Sequence, residues 1–572
     1  MARKAIVLAA GFGTRLRPFT CVVPKPLLPV WGVAMLERVV AWLREQGVEE
    51  IAVNCHYLHE QVEAWCKDNG CRAVYEPEIL GTGGVLNPLR DWIGEDDFWL
   101  VNGDIVFELG DKALPKFDWK GAKGAEIIGC ALVSEEGPRT IEVEPDASLV
   151  TCWRSPDPGW GGTFTYCGIA LLKAGILSYI KEEGFSSIVD AYEKAMMDGK
   201  FVRAVKPEGM LWTDAGTVDS YIELNRDGET NAFGDIPQIK ATGLEDVEFC
   251  GARGSDRAFF KTAKEYIVIY DDEKRAENAR YASHAKWLKE QGVKVPSILA
   301  DLPGMKTLVM ENAGSEDLLA RSKRRGEDRL YDYVAVVEEL VKFNSLDCPL
   351  ELEAPFDDSL YAWERELFAK HYLGERMHME MPEAVRRELE GVAKRLLAEP
   401  MALVHRDFQS SNIIWKNEEF KIIDFQGMRK GPAAYDLASL IYDPYVDLRE
   451  GERRALAALY AKKANRPELA ETVKFAAVER LVQALGAFGR LASVGKSGFT
   501  KHILPALQNL LAAADDAALD ATGAMAEELI AREMKASGHE HHHCGCSHDH
   551  GEGDHAHCQC GHDHNHGHGG CE

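Results

Sequence analysis

Nowhere in the chain do apolar residues run on for the roughly 18 positions that a membrane-spanning helix needs, so no span is expected. The first apolar run, Lys4-Ala5-Ile6-Val7-Leu8-Ala9, is shorter than the roughly 7–15 residues at the heart of a secretion signal and leads straight into Gly11-Phe12-Gly13-Thr14-Arg15. Positive charge is scarce as well: 66 Lys and Arg against 92 Asp and Glu leave a formal net charge of −26. So acidic a surface suits neither nucleic acid nor an anionic membrane as main partner, although a local basic cleft for nucleotides is compatible with it. The expected compartment is the cytoplasm. At 572 residues the chain is too long for one hydrophobic core, and two domains plus extras are expected.

Cysteine is present but divided. Cys21, Cys55, Cys66, Cys71, Cys130, Cys152, Cys167, Cys250 and Cys348 are scattered, often within apolar strands, and read as reduced thiols. The other five, Cys544, Cys546, Cys558, Cys560 and Cys571, share a tail at 537–572 with twelve of the 19 histidines. Glycine-rich and almost without aliphatic residues, that tail cannot bury a core and is expected to be disordered without metal. Its imidazoles and thiols suit Zn²⁺, Ni²⁺ or copper, in a loose buffer rather than one defined site.

The first half is organised around Ala9 to Pro26. Gly11 and Gly13 let backbone N–H groups converge on phosphate oxygens, with Thr14 beside them. Arg15 adds a permanent cation, and Lys25, held between Pro24 and Pro26, a second from a defined direction. Gly11, Gly13, Thr14, Arg15, Leu16, Pro18 and Pro24-Lys25-Pro26 resemble the G-x-G-T-R-L-x-P…P-K-P signature of the sugar-phosphate nucleotidyltransferase family. Apolar strands at 51–55, 72–75 and 98–101 alternate with helical patterns, which predicts an α/β, doubly wound parallel sheet over residues 1–236 with its ligand at the carboxyl ends of the strands.

Asp104 in Asn102-Gly103-Asp104 and Asp214 in Asp214-Ala215-Gly216-Thr217 fall at such ends. A lone aspartate there is more often a cap or turn residue, but the resemblance makes both Mg²⁺ ligands. It also makes Gly81 and Gly83 of Leu80-Gly81-Thr82-Gly83-Gly84 part of the nucleotide site. The branch that makes UDP-N-acetylmuramate is similar at this segment, at Asn102-Gly103-Asp104 and at Thr163-Phe164-Thr165-Tyr166-Cys167-Gly168-Ile169. The acceptor segment Trp153-Arg154-Ser155-Pro156 lacks the E-K-P of other branches and leaves the acceptor open.

Past residue 240 the pattern restarts. Strand-like runs at 247–250, 259–261 and 266–270 flank a glycine-containing turn whose Gly254 and Ser255 are nucleotide-binding candidates, and everything after Tyr331 is mainly helical apart from one insert. That insert reads His405-Arg406-Asp407-Phe408-Gln409-Ser410-Ser411-Asn412, then Ile423-Asp424-Phe425. The spacing suits a phosphotransfer loop: Asp407 to accept a hydroxyl proton, Asn412 and Asp424 to ligate Mg²⁺. It resembles the aminoglycoside phosphotransferase and choline kinase family, which implies a two-lobed, protein-kinase-like domain over 240–532. The resemblance extends to the anomeric amino-sugar kinases through Gly431-Pro432 and Tyr435-Asp436-Leu437, with Asp436 an anchor of the loop and His405 structural. The strand at 266–270 lacks the usual phosphate-binding lysine; Arg257 and Lys261 are the nearby cations.

The two resemblances imply a bifunctional enzyme of cell-wall sugar recycling. ATP would phosphorylate N-acetylmuramate, or N-acetylglucosamine, at its anomeric hydroxyl, and UTP would convert the sugar 1-phosphate to a UDP-sugar and pyrophosphate. A choline kinase fused to a phosphocholine cytidylyltransferase has the same architecture, but usually reads P-K-A where Pro24-Lys25-Pro26 stands. A catalytically silent regulatory or metal-sensing protein is the reading of another class, against which the intact Asp104, Asp214, Asp407, Asn412 and Asp424 argue.

Overall fold

A computed structural model describes residues 2–536 except 110–118, 120–124, 147, 227–231, 254–255 and 496. The candidates Gly254 and Ser255, and the His- and Cys-rich tail expected to take transition metal, lie outside the described residues.

A nine-stranded sheet carries the first half, in the order Arg72–Tyr75, Glu50–Cys55, Lys4–Leu8, Phe98–Asn102, Thr163–Leu172, Glu126–Ser134, Lys200–Val205, Leu149–Cys152, Ile141–Glu144. Ala5, Ile6 and Val7 are fully buried, as expected of a strand covered on both faces. The first four strands are parallel, joined through helices such as Met35–Glu45 and His59–Asp68 that pack back on the sheet. The sheet as a whole is mixed rather than parallel, because Thr163–Leu172 runs antiparallel to both of its long neighbours. Among the described residues the chain reaches that strand through further strands rather than through a crossover helix, and antiparallel pairing needs no such crossover.

The second half opens with a five-stranded antiparallel sheet, in the order Glu248–Arg253, Arg257–Lys261, Glu265–Tyr270, Thr307–Glu311, Ile298–Leu302. Ile298–Leu302 is absent from the sequence reading: it is a half-exposed edge whose apolar pattern is broken by Ala300-Asp301. A helical lobe follows, built around the long helix Leu469–Ser493, with a short hairpin at Ile413–Lys416/Glu419–Ile422 and an antiparallel pair of Met401–Val404 with Arg429–Pro432. Among the described residues no helix is long and apolar enough to cross a membrane.

The two halves share a core. Leu16, Phe19, Phe233, Phe260, Ile267 and Ile269 belong to one buried cluster, and the rings of Phe19 and Phe260 meet edge-on at 6.2 Å. Arg17 crosses the same boundary, with Nη1 3.3 Å from Asp271 Oδ2 and Nη2 2.6 Å from Glu273 Oε2. Asp271 is fully buried. Removing one partner of such a pair strands the other charge, at a cost of roughly 3 kcal/mol. Arg17→Met should therefore lower stability in urea unfolding by about that amount, and adding Asp271→Asn should recover at least half. A loss below about 1 kcal/mol in the single variant would show that water reaches the carboxylate and that the pair does not hold the halves together.

Candidate active sites

In the first site the strand Lys4–Leu8 ends at the glycine loop, and Ala9 N donates to Asn54 Oδ1 at 2.6 Å. Asn54 Nδ2 donates to Glu76 Oε1 at 2.7 Å, and Leu80 N donates to Glu76 Oε2 at 2.9 Å. One buried relay thus ties the glycine loop to the Gly81–Gly84 turn. The two loop glycines have different reasons. Gly13 sits at φ 63°, where a Cβ would stand 2.9 Å from Thr20 Cγ2, whereas a Cβ on Gly11 would meet nothing within 4 Å. Gly11 leaves open space where a ligand could approach; Gly13 makes the turn.

Lys25 is 7% exposed, with Nζ 2.7 Å from Asp104 Oδ2 and 3.4 Å from Asp214 Oδ1. Those acids lie about 110 positions apart in sequence and meet because Ile105–Glu108 pairs with Leu211–Asp214, register Ile105 to Asp214. Arg15 is exposed, its Nη2 3.7 Å from Asp214 Oδ2. A cavity of about 980 Å³ opens beside them, lined among others by Arg15, Asp104, Asp214, Trp153, Tyr166 and Trp212. Trp153 is buried and stacks on Tyr192 at 4.5 Å, while Arg154 points outward to Asp190 and Glu193. Two motifs read separately in the sequence touch here: a Cβ on Gly168, at φ 73°, would lie 2.5 Å from Asn102 Nδ2. Gly81 and Gly83 pack against backbone: Gly83 N donates to Ser186 O at 2.8 Å, and a Cβ on Gly81 would stand 2.7 Å from the same oxygen. These glycines set how closely the turn approaches the segment before the helix Ile188–Met197.

In the second site Asp436, fully buried, accepts the backbone N–H groups of His405 at 2.7 Å and Arg406 at 2.9 Å. It is an anchor of the loop, as expected. Burial pushes its carboxyl pKa up, partly offset by His405 and by these hydrogen bonds. His405 Nε2 lies 3.0 Å from Ile423 O and ties the loop to the strand end before Asp424. Asp443, which sequence reasoning passed over, holds the other end by accepting from Ser410 N at 2.8 Å and Ser410 Oγ at 2.5 Å. Asn412 Nδ2 donates to Asp407 O at 2.8 Å, which fixes the orientation of its amide.

Arg406 and Asp424 both have left-handed backbones, φ 76° and φ 69°, conformations that non-glycine residues hold only under constraint. Burial pushes the Asp424 carboxyl up, but the charge and hydrogen bond of Arg257, with Gln426, outweigh it and leave the group below the usual carboxylate range. Arg480, from the helix Leu469–Ser493, reaches Asp407 Oδ1 at 3.5 Å and Gln409 Oε1 at 3.4 Å. Asn412 and Asp424 line a cleft of about 740 Å³ with Arg257, Tyr266, Tyr281 and Met310.

Among the described residues no group of three or more His, Cys, Asp or Glu side chains is arranged to hold a metal ion. Each site offers instead a pair of hard oxygen donors, Asp104 with Asp214 and Asn412 with Asp424. Such donors fit Mg²⁺, which takes one or two protein oxygens and completes its shell with phosphate and water.

The family described as Nucleotidyl transferase matches residues 4–231, and the Phosphotransferase enzyme family matches residues 246–472. The chain thus joins a domain that matches the nucleotidyl transferase family to one that matches the phosphotransferase family. Its transferase half is similar to the N-acetylmuramate alpha-1-phosphate uridylyltransferase of Neisseria meningitidis serogroup B, 28% identical over 225 residues, 38% of this chain and 94% of the relative. It is also similar to a probable mannose-1-phosphate guanylyltransferase 1 of Oryza sativa subsp. japonica, 29% identical over 229 residues, 38% of this chain. The chain spans 63% of that plant protein's length. A choline/ethanolamine kinase family protein from Mesorhizobium loti overlays 52% of this chain and 97% of its own at 17% identity and TM-score 0.38.

The kinase-like half also buries carboxyls that no motif announced. Glu364, on the helix Asp358–Leu367, is fully buried beside Arg406 Nη2 at 3.5 Å. Glu479 is fully buried too, and neither of its oxygens has a hydrogen-bond partner among the described residues. Burial, then the nearby charge of Glu364, pushes its pKa well above the ordinary value despite Arg365. A carboxyl raised in the folded state stays protonated there while the unfolded chain ionises above about pH 4.5, so its contribution to stability falls as pH rises. Glu479→Gln removes that titration. Its stability relative to the parent should therefore improve between pH 5 and pH 8, by up to about 1.4 kcal/mol per pH unit in chemical denaturation. A difference that does not change with pH would mean that the folded state carries Glu479 ionised.

Proposed function

We propose that the chain makes a UDP-sugar from a free amino sugar in two successive transfers, with N-acetylmuramate the first candidate and N-acetylglucosamine the second. The observation that carries this reading is Lys25 drawing Asp104 and Asp214 onto one cation, beside a cavity of about 980 Å³ with aromatic walls, in a chain that also holds a complete phosphotransfer loop. Similarity to the Neisseria uridylyltransferase supports the nucleotide and the sugar, and the pathway then is the recycling of cell-wall sugars in the cytoplasm.

In the kinase-like site Asp407 accepts the proton of the anomeric hydroxyl as its oxygen attacks the γ-phosphorus of ATP, and ADP leaves. Arg480 holds the carboxylate of Asp407 in place for that proton. In the transferase site an oxygen of the sugar 1-phosphate attacks the α-phosphorus of UTP and pyrophosphate leaves. Arg15, exposed on its short turn, takes the pyrophosphate; Lys25 spans the reacting phosphates; the glycine loop from Gly11 to Thr14 receives the rest of the triphosphate. Asp104 with Asp214, and Asn412 with Asp424, would hold Mg²⁺, which when bound neutralises phosphate charge. Neither step requires a covalent enzyme intermediate.

The test is mass spectrometry of products from purified protein with Mg²⁺, ATP, UTP and N-acetylmuramate, beside a second tube of ATP, CTP and choline. A UDP-N-acetylmuramate mass in the first tube alone is expected; CDP-choline in the second alone would move both halves to choline chemistry. Asp407→Asn should lower sugar phosphorylation by about 10²- to 10⁴-fold while leaving uridylyl transfer to supplied sugar 1-phosphate intact. Asp104→Asn should do the reverse. Loss of both activities in either variant would contradict two separate sites.

A further inference from the structure

Protein-kinase folds grip the α- and β-phosphates with a lysine on the third strand of the N-terminal sheet, which pairs with a glutamate from the next helix. Here both places are filled by other residues. The third strand is Glu265–Tyr270; Tyr266, Val268 and Tyr270 line the cleft, while Ile267 and Ile269 are buried in the core shared with the first half. The helix Glu277–Glu290 brings Asn278 and Tyr281 to the cleft, and Tyr281 stacks on Phe425 at 4.6 Å.

A cation stands one strand away. Arg257 opens the strand Arg257–Lys261, and the antiparallel register sets it opposite Tyr270, the residue at the cleft end of the third strand. Its side chain is 10% exposed, and Nη2 lies 2.5 Å from Asp424 Oδ1. The other cation lining the cleft, Lys261, is 42% exposed and pairs with Glu248 at 3.0 Å.

We infer that Arg257 takes the α- and β-phosphates of the nucleotide in the kinase-like site, in place of the strand lysine. A guanidinium carries five N–H donors in a planar fork, so it can hold a carboxylate and phosphate oxygens at once, which a lysine does poorly. Asp424 then plays the part of the missing glutamate: it aims the cation at the place where phosphates and metal meet. The inference rests on reading the second site as an ATP-dependent phosphotransferase.

The test measures binding of ATP and of adenosine to the full chain by calorimetry, with Mg²⁺ present and UTP saturating the first site. Wild type should prefer ATP. Arg257→Gln should lose about 10- to 100-fold in ATP affinity, the worth of one or two charge-assisted hydrogen bonds, with adenosine affinity changed less than about threefold. Lys261→Gln should bind both as wild type does. Equal loss of ATP and adenosine in Arg257→Gln, or ATP loss confined to Lys261→Gln, overturns the inference. If the Gln variant does not fold, Arg257→Lys decides: ATP affinity reduced about 3- to 10-fold with adenosine unchanged supports it, and unchanged ATP affinity refutes it. A wild type that binds ATP no better than adenosine would remove the phosphotransferase reading itself, and the inference with it.

Discussion

Carboxylates that are to face a polyphosphate repel both the substrate and one another until something positive stands between them. The whole first site follows from one answer to that constraint. Lys25, buried at the foot of the glycine loop, gathers Asp104, from the turn before one strand, and Asp214, from the end of another, onto a single ammonium. Its own position is over-determined by Pro24 and Pro26 and by the turn at Gly13, whose missing Cβ lets Thr20 and the Lys25 stem come close. The kinase-like half pairs its two candidate-site aspartates with arginines: Arg257 at Asp424 and Arg480 at Asp407. A guanidinium suits these places because it stays charged when desolvated and can serve two anions in a plane.

Around each charged centre lies a set of buried acids that touch backbone rather than substrate. Glu76 receives Asn54 and Leu80 N; Asp436 receives His405 N and Arg406 N; Asp443 receives Ser410 N and Oγ. Each converts loose loop amides into a fixed cradle. That fixity is what allows Arg406 and Asp424 to remain at positive φ, since the strain of a left-handed non-glycine residue persists only where its neighbours over-determine it.

What could be read in advance was the part written in local patterns. The glycine loop, the proline-flanked lysine, the Asp407-to-Asn412 spacing and the first parallel strands are contiguous signals, and each lies in the structure where its spacing placed it. Asn54, Glu76, Asp443, Glu364 and Glu479 were illegible for a common reason: each is a polar residue in an ordinary stretch whose partners come from distant elements. The mixed sheet escaped for a related cause, because the direction of Thr163–Leu172 is set by its pairing with Phe98–Asn102 and Glu126–Ser134 and not by its own composition. The missing strand lysine was visible as an absence. Arg257 and Lys261 were visible as the nearby cations, but the register of Arg257 against Tyr270 and its pairing with Asp424 come only from the fold.

The join between the halves is made by the same few residues that make the first site. In Thr14–Leu16 and the residue after it, Arg15 faces the cavity, Leu16 is in the shared core and Arg17 is held by Asp271 and Glu273 of the other half. Asp271 in turn follows Tyr270, the partner of Arg257, and its N–H donates to Asp256 O beside that arginine. Arg15 of one site and Arg257 of the other are thus linked through one buried ion pair and one stretch of paired strand. Because packed cores shift between discrete arrangements rather than deform smoothly, a displacement of the glycine loop large enough to free Arg17 would have to break that pair. The shared core therefore ties the glycine loop to the kinase-like sheet, and each half braces the segment that carries the other half's candidate site.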